Sequence, residues 1–104
     1  MDFKEIEDKI NEVNINYGKK YNIEIDQEYA VHKLHEEVGE FAQAWLIYKK
    51  RCRPEKIVSN EKAKENLAEE LADIVGIASL NAKLLGINLE KAINKKWFKY
   101  LKRI

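Results

Sequence analysis

Apolar residues recur along this chain at the three- and four-residue steps of helices, and no stretch alternates in the manner of a strand. Phe3, Ile6, Ile10 and Val13 mark a first helix from about Asp2 to Asn16, with Gly18 as its stop. Lys19 to Asp26 follows as a linker, and Asp26 caps a second helix. That helix runs to about Lys50 and carries Ala30, Val31, Leu34, Val38, Phe41 and Trp45 among its apolar positions. Ser59 or Asn60 opens a third, whose stripe includes Ala63, Leu67, Leu71, Ile74, Val75 and Leu85, and Gly86 closes it. Asn88 caps a fourth, Leu89 to about Arg103, packing through Ala92, Ile93, Trp97 and Leu101. The pattern predicts one all-α domain over residues 1–104, a small four-helix bundle-like fold with an antiparallel central helix hairpin.

Two acidic clusters interrupt this pattern: Glu36-Glu37-Val38-Gly39-Glu40, and Glu69-Glu70-Leu71-Ala72-Asp73. Residues three apart share a helix face, so Glu37 pairs with Glu40 and Glu70 with Asp73. If the second and third helices turn back on one another near Pro54, residues whose numbers sum to about 110 lie level. Glu37 then faces Asp73, and Glu40 faces Glu70. All four carboxylates converge on one seam, where mutual repulsion calls for a hard divalent cation. The bland alternative is a solvated acidic face, since glutamate is a good helix former. Both clusters adjoin apolar stripes, however, and the small residues Gly39 and Ala72 beside them leave room for close backbones or a ligand. With neither Cys nor His in the seam, oxygen-only ligation points to Mg²⁺, Mn²⁺ or Ca²⁺ and away from zinc. His32 is positioned to bond Glu36 one turn on, and His35 reads as a polar surface residue.

Composition narrows the picture further. Nineteen basic and 18 acidic side chains nearly cancel, which gives no electrostatic case for nucleic acid or membrane binding. No apolar run reaches the length of a membrane span, the N-terminus lacks a secretory pattern, and the lone Cys52 suits a reducing compartment. A cytoplasmic protein is expected. The chain is short and its apolar stripes are wide, so a homodimer or homotetramer is expected as well.

The segments KLHEEVGEFAQAW and LAEELADIVGIASLNAKLLGINLEKAINKKW resemble the MazG-like all-α nucleoside triphosphate pyrophosphohydrolases, over roughly residues 26 to 103. Their EExxE signature is matched by Glu36, Glu37 and Glu40, and their ExxD by Glu70 and Asp73. The resemblance implies Mg²⁺-dependent cleavage of a nucleoside triphosphate between its α- and β-phosphates, with Mn²⁺ as a substitute ion. It makes Glu37, Glu40, Glu70 and Asp73 metal ligands, and gives Glu36 a second metal or the attacking water. Lys33, one turn before Glu37, is placed to reach a phosphate or to form an ion pair. Lys96, Lys99 and Arg103 form a basic stripe that holds the phosphate tail or is simply solvated. Tyr29, Trp45, Tyr48 and Trp97 either stack on a base or pack. The 29-residue gap between Glu40 and Glu70 is long for the family, and Tyr100 stands where a tail asparagine is usual. A non-catalytic oligomerising module and a metal- and nucleotide-binding regulatory domain are the competing readings.

Overall fold

The computed structural model describes residues 1–103, with only the backbone at Lys102 and Arg103. Four α-helices account for most of it: α1 Phe3–Tyr21, α2 Gln27–Tyr48, α3 Asn60–Leu84 and α4 Leu89–Trp97. Short 3₁₀ segments at Pro54–Lys56 and Phe98–Arg103 complete the chain, and no strand occurs among the described residues.

Capping side chains set the helix starts. Asp26 accepts from the Tyr29 amide at 2.9 Å, Ser59 from Lys62 at 3.1 Å and Asn88 from Lys91 at 3.0 Å. Each satisfies an amide that the helix itself leaves open. Gly86, at φ +70°, closes α3 in the left-handed conformation that glycine adopts without strain.

Two helix ends differ from the sequence reading. Gly18 does not stop α1, which continues for another turn to Tyr21 and ends on Asn22 in the left-handed conformation. Gly18 instead lets the chain fold back across it. A Cβ there would lie 2.6 Å from Ile25 Cγ1 and 2.9 Å from the Ile23 carbonyl oxygen. At the other end, α4 stops at Trp97 and the backbone tightens into a 3₁₀ helix, so a regular helix does not extend to Arg103.

The centre of the molecule is the α2–α3 hairpin, with α1 laid on α3. Asn81 locks the hairpin by donating from Nδ2 to Ala30 O on the facing helix and to Ile77 O on its own, both at 2.9 Å. Gln27 Nε2 donates to Leu84 O at 3.1 Å at the same end. These bonds set the helices within one residue of the predicted register. Ile10 lies nearest Gly76 and Asn14 shares a cleft with Asp73, so α1 runs antiparallel to α3. The buried apolar side chains are few and mostly small: Ala30, Ala63, Leu80 and Ala82.

Candidate metal centre

Each central helix turns a narrow face inward. On α2 that face is Ala30, Leu34, Glu37, Phe41 and Ala44; on α3 it is Ala63, Leu67, Glu70, Ile74 and Ile77. Steps of three and four connect them, so Glu37 and Glu70 occupy positions where a helix pair ordinarily places apolar residues. Val38, Trp45, Leu46, Leu71 and Val75 are turned outward and are about half exposed. The wide apolar stripes therefore divide into an inner half that holds the acids and an outer half that this chain leaves uncovered.

One carboxylate oxygen from each of Glu37, Glu40, Glu70 and Asp73 lies within 4.8 Å of the others. The predicted convergence is present, two acids from each helix. Glu37 is 7% exposed, and its Oε2 and the Oε2 of Glu70 are buried without any hydrogen-bond donor. Burial pushes the Glu37 carboxyl up to about 7, with the neighbouring Glu40 and Asp73 adding to the effect. Burial also raises Glu70, again with help from Glu40 and Asp73. Unmet carboxylate oxygens are costly in a protein interior, and two of them within a cluster of four acids are what a bound cation would satisfy. Their hardness and the absence of Cys or His suit an ion such as Mg²⁺.

Glu36 stands just outside this cluster. Lys33 Nζ donates to its Oε1 at 2.9 Å, the ion-pair alternative for that lysine, and this bond raises the Lys33 pKa. Tyr29 is close enough to feel Lys33, Glu36 and Glu37, although burial is the main cause of its raised pKa. His32 pairs back with Glu28 at 3.4 Å instead of forward with Glu36, and His35 Nδ1 lies 3.0 Å from Val31 O.

Other sequence candidates lie apart. Lys96 and Lys99 are exposed and line neither cleft bordering the acids, and Lys99 Nζ sits 5.1 Å from the Tyr100 ring centre. The change to 3₁₀ geometry after Trp97 breaks the helical spacing on which the stripe depended. The Arg103 side chain lies outside the described residues. Trp45 faces outward against Tyr48, with ring centres 5.7 Å apart, and Trp97 is 65% exposed. Gly39 has no atom within 4 Å of where its Cβ would sit, so no backbone approach within this chain explains it. Ala72 lines a cleft beside Asp73. Sequence patterning did not reveal the contribution of α1: Asn14 also lines this cleft, and nothing in its local sequence distinguishes it from a solvated asparagine.

An antiparallel helix pair with two converging acids on each member, one of them inward, defines an all-α carboxylate centre. The chain belongs to the MazG nucleotide pyrophosphohydrolase domain family, whose family model matches residues 26–104. It is 38% identical over 72 residues to the Uncharacterized protein YvdC of Bacillus subtilis (strain 168), an alignment covering 67% of this chain and 68% of that one. No solved structure matches it.

Proposed function

We propose that this protein is a Mg²⁺-dependent nucleoside triphosphate pyrophosphohydrolase, releasing a nucleoside monophosphate and pyrophosphate. The observation that carries this reading is the set of four carboxylates within 4.8 Å along the hairpin seam, Glu37 among them buried. Glu37, Glu40, Glu70 and Asp73 would hold the divalent ion. When bound, it would neutralise phosphate charge and stabilise the departing pyrophosphate. An acidic seam would otherwise repel the substrate.

The chain's own contribution is orientation and proton handling. Lys33 fixes the Glu36 carboxylate through Oε1, leaving its second oxygen to orient the attacking water and take its proton. The water oxygen bonds to the α-phosphorus as the bond from that phosphorus to the bridging oxygen breaks, and pyrophosphate leaves with the bonding pair. The lone free thiol of Cys52 suits a cytoplasmic setting.

The working form is a homo-oligomer, a dimer or a pair of dimers. The chain exposes 8324 Å², whereas a monomer of its 12.2 kDa mass exposes about 6,100 Å². The excess of roughly 2,200 Å² is what a subunit buries in an extensive obligate interface.

Pyrophosphate release from a panel of nucleoside triphosphates, with and without Mg²⁺, tests the function. Turnover abolished by chelation and restored by Mg²⁺ or Mn²⁺ but not Zn²⁺ is expected. Absence of turnover across the panel refutes the enzyme reading. A rise in melting temperature with Mg²⁺ and nucleotide would then indicate a binding domain.

A further inference from the structure

Beside the acids lies a cleft that the carboxylate centre does not use. It has a volume of about 300 Å³ and runs between α1 and α3, with Glu37 and Asp73 at one end. Ile10 and Val13 wall it on α1, and Ala72, Gly76 and Ile77 on α3. The single polar group along these walls is Asn14. Its Nδ2 spends one hydrogen on Ile10 O at 3.2 Å, which fixes the amide and leaves a second N–H and the Oδ1 to offer. Glu37, buried and with one carboxylate oxygen lacking a donor, borders the same space.

The arrangement has the form of a small-molecule site: mostly apolar walls, one oriented donor–acceptor pair and an ionisable end. Residues 26–104 match the family model, so α1 lies outside the matched stretch, and this wall comes from the chain's own N-terminal helix. We propose that the cleft receives the base of the nucleotide, and that Asn14 is its specificity-determining residue. This rests on the pyrophosphohydrolase reading, because the phosphates must lie at the acids for the base to reach α1. The free N–H and Oδ1 of Asn14 match an adjacent acceptor and donor on a base edge, and bases differ in which edge offers that pair.

Steady-state kinetics on matched pyrimidine and purine triphosphates, for wild type, Asn14→Ala and Val13→Trp, tests this. Val13 is 67% exposed, so a larger side chain narrows the mouth without entering a core. Wild type should discriminate among the bases. Asn14→Ala should lower kcat/KM for the preferred base about tenfold or more, mainly through KM, and bring the ratio between bases toward one. Val13→Trp should raise KM for all substrates. Both variants should keep the Mg²⁺-induced rise in melting temperature, which a merely misfolded variant would not. Equal kcat/KM for all bases in wild type overturns the proposal. So does an unchanged ratio between bases in Asn14→Ala, and so does a change confined to oligomeric state. Those outcomes leave pyrophosphohydrolase activity standing. Absence of turnover in wild type overturns that reading, and the base site with it.

Discussion

Glu37 concentrates the conflict at the heart of this site. Its unperturbed pKa of 4.5 applies to the unfolded chain, whereas burial beside Glu40 and Asp73 brings the folded value to about 7. Below pH 4.5 both states hold the proton, and the site imposes no penalty. Between these values the unfolded chain ionises while the folded one stays protonated, so the metal-free protein loses stability as pH rises. The loss is complete above about pH 7 and is of the order of 3 kcal/mol. Melting temperature in chelator should therefore fall from pH 5 to pH 8. Saturating Mg²⁺ should lift it most at the alkaline end, where the carboxylates are ready to bind. Glu37→Gln keeps the shape and removes the charge. It should flatten the pH profile in chelator, hold or raise the melting temperature at pH 8, abolish the Mg²⁺ response and eliminate most turnover. The same Mg²⁺ response in the variant as in wild type would place the ion elsewhere.

At the scale of the elements, the helix caps and the hairpin register read from sequence matched the structure, whereas the features decided by how α1 and the segment after it pack did not. Asp26, Ser59, Asn88 and Gly86 act on the backbone within a few residues of themselves, which is why the starts of α2, α3 and α4 and the end of α3 were legible. The carboxylate cluster was legible for a related reason: helical period and hairpin register suffice to bring the four acids together. Gly18 was not, because what keeps it inside α1 is the returning segment at Ile23 and Ile25. Nor was the α1–α3 cleft, since Asn14 comes to line it with Asp73 only through the packing direction of α1. Two glycines turn this contrast into a test. Gly18→Ala must push a methyl group into the Ile23 carbonyl and Ile25, so it should destabilise by about 1–3 kcal/mol. Gly39→Ala meets open space in a helix interior, so it should stabilise the isolated chain by up to ~1 kcal/mol. Chemical denaturation of both variants reads the two signs directly.

The whole molecule is more extended than its length requires. Its radius of gyration is 16.4 Å, against about 13 Å for a compact domain of 104 residues. With Glu37 and Glu70 in the helix seam, the interior forfeits apolar burial that the hairpin would otherwise gain. The compensating surface lies outward on α2, where Val38, Ala42, Trp45 and Leu46, with Phe41 at the edge, form an almost wholly apolar patch. In the proposed homo-oligomer a second copy of the chain would cover it, because the same patch is present on every subunit. Trp45 is 47% exposed and Leu46 45%, so a charge at either should leave the free subunit's own packing largely intact. In an assembly the same charge is buried and unpaired, which is destabilising by several kcal/mol. Trp45→Glu and Leu46→Asp should therefore shift sedimentation from an oligomer toward the 12.2 kDa monomer and lower the melting temperature in a concentration-dependent way. Wild type sedimenting at monomer mass at micromolar concentration would refute the assembly. Unchanged sedimentation in both variants would move the interface to another face. The hairpin acids lie on the opposite, inner side of α2, so Mg²⁺ should still stabilise whatever monomer these variants yield.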